Sequence, residues 1–402
     1  MGWMLRTILT ISAVALPLYL YVGLRVASSI GSLRPAAKRR ARWIILGVVA
    51  WCFLLPATAL LLYLFKVPST LFLASRPVGL LDYLFYYPSW LSVIVIAELL
   101  LPFVALDLLS LASRLLPSHR QTVRRFLAWG RIVLMSFAIL YVPLRSAIDT
   151  TQVRDTIVNL PLPRLPAELD QLRITLVGDI QVDRYTGESK VSQVRNIITR
   201  QSPDLLLFPG DLVTSGTEFL DEAKAAICGL KGVLGSIAVM GDHDFWSAPE
   251  EVREIEIDCG WIFLQNEHRL ISYRGKTICI SGLTNIYADR LNEARLDSFL
   301  TSAPAADLHI LLTHQPANRV IQSAVAHGVD LLLAGHTHGG QIEFHPLGIP
   351  LTASMRETRY YTGVHREDST TVVVTNGVGI SIAPLRYHAP AEVTTIVVRR
   401  GP

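Results

Sequence analysis

The amino-terminal third of the chain is dominated by apolar runs that are long enough to cross a lipid bilayer. A membrane-spanning helix needs roughly 20 mostly apolar residues, and three runs have that length: Leu5–Val26, Trp43–Phe65 and Phe126–Leu144. A fourth apolar stretch contains three acidic residues, and we interpret its second part, Trp90–Leu111, as one more span. The sequence therefore predicts a transmembrane region over residues 1–145 with four helices, or three as the alternative.

Basic residues between these runs predict the orientation of the helices, because cytoplasmic loops carry an excess of Lys and Arg. Two segments are rich in them, one around the end of the first span and one between the third and fourth spans. Between the second and third spans the only basic residues are Lys66 and Arg76. We therefore expect the amino terminus and the whole carboxy-terminal half to lie outside the cytoplasm. The residues behind this prediction are Arg25, Arg34, Lys38, Arg39, Arg40 and Arg42 in the first segment, and Arg114, Arg120, Arg124 and Arg125 in the second.

Charge is divided unevenly along the 402 residues. Residues 1–150 contain 15 of the 37 Lys and Arg but only 4 of the 33 Asp and Glu, a net charge of +11, so the remainder carries −7. The overall charge of +4 thus describes neither half, and an acidic globular half gives no support to nucleic-acid binding.

Four cysteines are present, and none forms a Cys-x-x-Cys pair. That spacing argues against a thiolate metal site or a disulfide framework. We expect Cys228, Cys259 and Cys279 to behave as small buried hydrophobic residues.

The second half alternates short apolar runs with helical patterns, which is typical of an α/β sheet architecture. Before it, residues 146–171 contain three prolines and no sustained periodicity, which indicates a linker. The predicted strands are Arg173–Val177, Leu205–Phe208, Ser236–Val239, Ile278–Ser281, His309–Leu312 and Leu331–Leu333. The predicted helices are Ser189–Arg200, Phe219–Leu230, Pro249–Cys259, Leu291–Leu300 and Pro316–His327.

Acidic residues and histidines follow five of these strands. Ligand sites in open α/β sheets collect just beyond the carboxyl ends of the strands, so we expect these side chains to meet at one edge. A mixture of carboxylates and imidazoles suits divalent transition metals, and the neighbouring glycines permit tight turns. The segments are Asp179, Gly210-Asp211, Gly241-Asp242-His243-Asp244, His314 and Gly335-His336-Thr337-His338-Gly339-Gly340.

These segments resemble the motifs of the calcineurin-like metallophosphoesterase family: Asp-x-His, Gly-Asp-x-x-Asp/Asn, Gly-Asn-His-Asp/Glu, a His after a strand, and Gly-His-x-His. The resemblance covers residues 172–402 and is strongest to a bacterial membrane-associated branch, which also shares the tail motifs. It implies an α/β domain of four layers, α/β/β/α, with two stacked mixed sheets between helices. The tail motifs are Tyr361-Thr-Gly363, Asn376–Gly379, Pro384-Leu-Arg386 and Pro390-Ala-Glu392.

The resemblance also implies a role for each site residue. Asp211 would bridge two divalent metal ions, His243 would protonate or stabilise the leaving oxygen, and Asp244 would orient His243. The first metal would be bound by Asp179 and His338, and the second by Asp242, His314 and His336.

Three positions depart from the family motifs. Gln181 stands where a histidine ligand is usual, Asp242 replaces an asparagine, and Thr214 replaces Asp or Asn. Gln181 could still coordinate through its carbonyl oxygen, Asp183 could substitute for it, or the first site could be weak or empty. Three carboxylates and fewer nitrogen ligands favour Mn²⁺, Mg²⁺ or iron over Zn²⁺.

The resemblance implies hydrolysis of a phosphomonoester, phosphodiester or pyrophosphate by metal-activated hydroxide. Together with the predicted spans and the basic segments beside them, it predicts a multi-pass protein of the bacterial cytoplasmic membrane with an extracytoplasmic catalytic domain. Partners would be the lipid bilayer and a phosphoester, with lipid-linked substrates among the candidates; substrate and oligomeric state stay open. One alternative is a catalytically decayed binding or scaffold protein of the same fold. A transporter with a regulatory domain is disfavoured, since no inverted repeat is evident.

Overall fold

The computed structural model describes residues 3–66, 77–115, 119–287 and 289–401. Arg76, one of the basic residues used to predict the orientation, lies outside these ranges. The chain folds into two compact units, one mainly before Ala147 and one mainly from Ile148 onward.

The first unit is helical. Among the described residues, three helices are long and apolar enough to cross a membrane, judged by length and composition, and a bent pair makes a fourth if it counts as one span. This range of three to four is the predicted one. The helices are α1 (Trp3–Leu33), the bent pair α2 (Lys38–Cys52) and α3 (Leu54–Leu64), α4 (Tyr87–Ala112) after a π-helical turn at Asp82–Tyr86, and α5 (Arg120–Thr151).

The 43° bend between α2 and α3 has a cause in the sequence. Pro56 has no N–H, so the carbonyl of Cys52, four residues earlier, loses its helical partner. The hydroxyl of Ser89 on α4 donates a hydrogen bond to this carbonyl at 2.9 Å. A neighbouring helix thus satisfies the backbone group that the proline leaves free, which is how prolines are tolerated in membrane helices.

The second unit contains two six-stranded mixed sheets. The first sheet has the order β1-β14-β2-β3-β4-β5, in which β14 is antiparallel to β2 and the other neighbours are parallel. Strand β3 reads Leu-Leu-Leu-Phe and is buried along its whole length, as expected of a parallel strand covered on both faces. The strands are β1 (Arg154–Leu162), β2 (Arg173–Leu176), β3 (Leu205–Phe208), β4 (Gly235–Ala238), β5 (Ile262–Phe263) and β14 (Glu392–Arg400).

The second sheet has the order β12-β13-β9-β8-β7-β6, with an antiparallel strand at each edge and parallel strands between. Its strands are β6 (Glu267–Tyr273), β7 (Lys276–Leu283), β8 (Leu308–Thr313), β9 (Leu331–Ala334), β12 (Gly363–Glu367) and β13 (Thr370–Val374). A small ribbon pairs β10 (Glu343–Phe344) with β11 (Leu351–Thr352).

Apolar clusters hold the layers of this unit together. One joins the facing sides of the two sheets, with Leu207 and Ile310 fully buried in it. Two others lie on the outer faces, beneath helices α6, α7 and α9 on the first sheet and α10 and α11 on the second. The predicted α/β/β/α architecture is confirmed. The helices are α6 (Glu188–Gln201), α7 (Leu220–Ile227), α8 (Asp242–Ser247), α9 (Pro249–Asp258), α10 (Glu293–Thr301) and α11 (Asn318–Ala326).

The segment predicted as a linker is largely structured. Residues from Ile148 onward belong to the second unit, and β1 pairs with β14 over nine residues. Of the three prolines that suggested a linker, only Pro161 lies in this strand, and it is tolerated there because β1 is at the sheet edge, where a missing N–H is acceptable.

The prediction for the cysteines was wrong for two of them. Cys228 and Cys259, at the ends of α7 and α9, form a disulfide bond. The two cysteines are 31 residues apart in the sequence, and this spacing did not indicate a disulfide. They meet because the two helices that they follow pack side by side. Cys279 is a buried free thiol in β7, as expected.

Candidate metal centre

The residues singled out in the sequence converge beyond the carboxyl ends of strands in both sheets. Asp179, Gln181 and Asp211 follow β2 and β3, and Asp242 begins α8 after β4. His314 follows β8, and the pair His336 and His338 follows β9. Each of these side chains is at least partly buried. Strand ends of two stacked sheets therefore supply one common site.

Among the described residues, the oxygen and nitrogen atoms of this site form three groups in which every ligand atom lies within 4.8 Å of the others. Asp211 belongs to two of the groups, as does Asp242. Asp211 thus lies between the group that contains Asp179 and His338 and the group that contains Asp242 and His243, and its bridging of two metals stays a prediction. The groups are Asp179, Asp211 and His338; Asp242, His314 and His336; and Asp211, Asp242 and His243.

Close contacts connect these groups through His314. Its Nε2 lies 3.2 Å from Asp242 Oδ1 and 3.4 Å from Asp211 Oδ2. The same nitrogen lies 3.2 Å from Nδ1 of His336. Two carboxylates and one imidazole therefore surround Nε2 of His314. Together with that nitrogen they form a donor set suited to a divalent cation.

The backbone holds this arrangement in an unusual conformation. Five of the predicted residues have positive φ: Asp179 (49°), Gln181 (46°), Asp211 (63°), His336 (72°) and His338 (53°). Non-glycine residues seldom adopt such angles, and they concentrate at functional sites because the surrounding structure must hold them.

Two glycines allow the carboxylates to approach the backbone. A Cβ atom on Gly241 would lie 2.1 Å from Asp211 Oδ1, and one on Gly335 would lie 2.3 Å from Asp179 Oδ2. Any side chain at these positions would displace a carboxylate that the site needs.

Each of the four imidazoles is held from outside the centre through one ring nitrogen. Nδ1 of His314 donates to the carbonyl of Pro209 at 2.8 Å, and Nδ1 of His243 donates to the carbonyl of Thr214 at 2.6 Å. Since a carbonyl only accepts, both rings carry a proton on the outer nitrogen, which leaves Nε2 toward the centre. His336 is held through Nε2, which lies 3.3 Å from a Glu357 oxygen.

His338 is held differently, because its outer partner is a donor. An Arg386 nitrogen lies 3.2 Å from its Nδ1, and a guanidinium cannot accept. The ring proton is therefore on Nε2, which lies 3.8 Å from Asp179 Oδ1. That proton must leave or move before Nε2 can bind a cation.

Opposing effects set the charges of the site. Although burial acts the other way, the carboxylates of Asp211 and Asp242 raise the pKa of His314 well above its ordinary value. Burial is likewise outweighed at His336, where Asp242 and Glu357 raise the pKa to about 9. The raised pKa values favour protonation of these rings, which offsets the negative charge of the carboxylates around them.

The pKa values of Asp179 and His338 are shifted mainly by burial. Burial raises the pKa of Asp179 to about 6. Burial and the charge of Arg386 hold the pKa of His338 well below its ordinary value, which favours the neutral ring.

Gln181 has one unsatisfied atom in the centre. Its amide nitrogen donates to Asp211 at 3.3 Å, while its buried Oε1 has no hydrogen-bond partner among the described residues. A buried acceptor without a partner is costly, and a cation would satisfy it. Asp183, the predicted alternative, has both oxygens engaged, by the N–H groups of Tyr185 and Thr186 and the hydroxyl of Thr214.

The structure corrects the role predicted for Asp244. Its carboxylate does not orient His243 but accepts hydrogen bonds from the backbone N–H groups of Asp211, Leu212 and Val213 at 2.7, 2.7 and 3.1 Å. Asp244 therefore holds the loop that carries Asp211, and the Thr214 carbonyl orients His243. This carbonyl belongs to the backbone, so no residue type could have revealed its role.

Arg386 is a site component whose role the sequence did not indicate. Its side chain is fully buried, and its donors reach carbonyls of His338, Asn376, Gly377, Gly379 and Ala389. One side chain thus joins three loops behind the centre. It occurs within the tail motif Pro384-Leu-Arg386, which was the only available signal.

An exposed aromatic edge borders the centre. Trp246 and Tyr287 stack with their ring centroids 6.2 Å apart and their planes 5° apart, and each is about half exposed. Trp246 contacts His243 and Tyr287 contacts His336, at centroid distances of 5.6 and 5.4 Å.

These observations fit a divalent metal centre. The donors are three carboxylates and four imidazoles within coordinating reach of one another, and Gln181 offers a free oxygen. In this arrangement Asp179, Asp211 and His338 would hold one cation, and Asp242, His314 and His336 would hold the other.

Metal affinity should rise with pH, because only neutral imidazole binds a metal and His336 loses its proton as the pH rises through about 9. We expect Mn²⁺ affinity to increase roughly tenfold per pH unit for each displaced proton between about pH 7 and 9. Calorimetric titration of the metal-free protein in buffers of different protonation enthalpy would count those protons. The His336→Gln variant should show a flatter dependence; a wild-type affinity independent of pH would contradict the prediction.

Comparisons with known proteins agree with this site. Residues 172–340 match the model of the calcineurin-like phosphoesterase family. The chain is 30% identical over 301 residues to the "Transmembrane protein with metallophosphoesterase domain" of Danio rerio, a match covering 71% of this chain and 64% of that protein, just under two thirds of its length. The protein of the same name from Bos taurus is 28% identical over 72% of this chain and 67% of its own.

A bacterial relative, an "Uncharacterized metallophosphoesterase" of Helicobacter pylori strain J99, is 26% identical over 69% of this chain and 72% of its own length. The matching family model and these relatives identify residues 172–340 as a calcineurin-like phosphoesterase domain.

Proposed function

We propose that the chain is a membrane-anchored, metal-dependent hydrolase of a phosphomonoester, phosphodiester or pyrophosphate bond. The observation that carries the proposal is the position of Asp211. Its carboxylate lies within coordinating reach of Asp179 and His338 on one side and of Asp242 and His243 on the other. A structural ion-pair cluster needs no such shared carboxylate, whereas a pair of neighbouring cations does.

Divalent ions bound at this centre would neutralise phosphoryl oxygens and acidify a water molecule near neutral pH. The chain's own residues then have three tasks. The carboxylates hold the positive charge in place, the carboxylate of Asp244 fixes the loop of Asp211 by accepting from its backbone N–H groups, and Gly241 and Gly335 let carboxylates lie close to the backbone.

His243 would supply the proton for the leaving oxygen. The Thr214 carbonyl occupies Nδ1, so Nε2 is the nitrogen that remains for a substrate. The ring is only partly buried, so a substrate can reach it. Protonation of a leaving group by a positioned histidine contributes typically 10²–10⁴-fold to the rate.

The substrate would present an organic group to the aromatic edge of Trp246 and Tyr287. Exposed stacked rings bind apolar or planar groups and exclude water from one side of a site. Anchoring in a bilayer raises the local concentration of lipid-linked phosphoesters, which makes these the favoured substrate class.

Hydrolysis of bis-p-nitrophenyl phosphate with Mn²⁺ tests the proposed activity. We expect His243→Ala and Asp211→Ala to lower the rate at least 100-fold, since each removes a group that acts on the reacting phosphate. The exposed Asp221→Ala and the remote helix-end variant His327→Ala serve as matched controls and should retain the wild-type rate.

Equal activity in the wild type and in both site variants would refute the assigned site. Absence of metal-dependent hydrolysis in the wild type, across lipid and soluble phosphoesters, would instead favour the non-catalytic binding or scaffold function.

The centre should prefer Mn²⁺, Mg²⁺ or iron over Zn²⁺, because Gln181 offers an oxygen where the family motif has a His nitrogen, and Asp242 offers a charged oxygen where it has the neutral amide of Asn. The variant Gln181→His with Asp242→Asn restores the family ligand types. We expect it to shift the affinity ratio of Zn²⁺ to Mn²⁺ toward zinc by at least tenfold, measured by competitive titration. Tightly held stoichiometric zinc in the wild-type protein purified without added metal would contradict this preference.

We also propose that the catalytic domain lies outside the cytoplasm. The basic residues between the predicted spans favour this orientation, and the Cys228–Cys259 disulfide supports it, because disulfides persist mainly in oxidising compartments.

Thiol trapping in intact cells tests the orientation. After free thiols are blocked, reduction should release two thiols per chain for labelling in the wild type and in Cys279→Ser, and none in the double variant Cys228→Ser, Cys259→Ser. If both cysteines are already blocked before reduction in the wild type, the orientation is inverted.

A further inference from the structure

The helical unit contains a charged site of its own. Helices α1, α4 and α5 enclose a cavity of about 400 Å³, a volume typical of small-ligand sites. Nine of its thirteen lining residues are polar, namely four arginines, four serines and one aspartate. Such a lining is unusual among helices that are long and apolar enough to cross a membrane.

The sequence builds this cavity from one face of each helix. Arg25, Ser28, Ser29 and Ser32 recur at the i, i+3, i+4, i+7 spacing of α1, and Arg124, Leu127, Ala128 and Arg131 do so on α5. Asp107, Ser110, Leu111 and Arg114 repeat the pattern at the end of α4. Three helices therefore direct matching faces toward one space.

The positive charge of the cavity is not balanced. Asp107 accepts from Arg25 and Arg131 at 2.7 Å each and from the hydroxyl of Tyr21 at 2.9 Å, so its two oxygens are occupied. Four arginines against this one carboxylate leave a net charge of +3. Arg114 and Arg124 have no hydrogen bond or ion pair with any described residue.

Arg131 provides an independent indication of an anion site. Its side chain is only 11% exposed, and its Nε is buried without a hydrogen-bond partner among the described residues. A buried charged group with an unsatisfied donor is costly unless an anion accepts from it.

We propose that this cavity binds the phosphate headgroup of an anionic membrane lipid. Guanidinium groups bind phosphate through paired N–H bonds, and basic pockets between membrane helices suit anionic headgroups. The cavity lies at the end of α1 and α4 and the start of α5, next to the basic segments predicted to be cytoplasmic. Anionic lipids are enriched at that surface.

Removing the two unpartnered arginines tests the site without breaking the ion pairs of Asp107. We compare Arg114→Gln/Arg124→Gln with a matched control of equal charge, Arg120→Gln/Arg125→Gln, whose residues do not line the cavity. Full-length protein in uncharged detergent is titrated with phosphatidylglycerol, phosphatidylcholine or inorganic phosphate, and bound lipid is counted by native mass spectrometry.

Phosphatidylglycerol should bind, phosphatidylcholine should not, and the cavity variant should lose affinity roughly 30-fold, from about 1 kcal/mol for each basic residue. The control should change less than threefold. An equal loss of phosphatidylglycerol affinity in both variants would mean that surface charge alone explains the binding. Binding of inorganic phosphate but not of lipid would mean that the cavity binds a soluble anion. Either result, or unchanged binding in the cavity variant, overturns the lipid site.

Discussion

The second unit depends on bringing the carboxylates of Asp179, Asp211 and Asp242 close together in a buried site. Like charges this close repel one another, and burial increases the cost. The chain offsets that cost with His314 and His336, whose raised pKa values favour the protonated, positively charged rings. A bound metal would replace those protons with a stronger positive charge, so the metal-free site already has the electrostatics of a cation site.

Much of the remaining site exists to hold this arrangement. Positive φ at Asp179 and His338 and the buried Arg386 are each unfavourable alone. Hydrogen bonds to the backbone of neighbouring loops hold them in place. Arg386 donates to the backbone carbonyls of five residues, and the carboxylate of Asp244 accepts from three successive N–H groups. Loops of this kind need rigid strands behind them, which the fully buried β3 and β9 supply.

Local sequence predicted the strands that carry the site, because short runs such as Leu205–Phe208 and Leu331–Leu333 are apolar throughout. It did not predict β1 and β14, which pair with each other over more than 200 residues of sequence and leave no local period. The site was predicted from carboxylates and histidines that directly follow strands. The contacts that Thr214, Glu357 and Arg386 make with the site residues were not predicted. These involve backbone carbonyls or distant side chains, which only the folded chain defines. The Cys228–Cys259 disulfide was missed for the same reason.

The central claim is that Asp211 serves two cations at once. Anomalous X-ray diffraction from crystals grown with Mn²⁺ would test it most directly. The account predicts two peaks roughly 3.5–4 Å apart, the usual separation in two-metal sites, with Asp211 within bonding distance of both. A single peak, or two peaks that do not share Asp211, would contradict it.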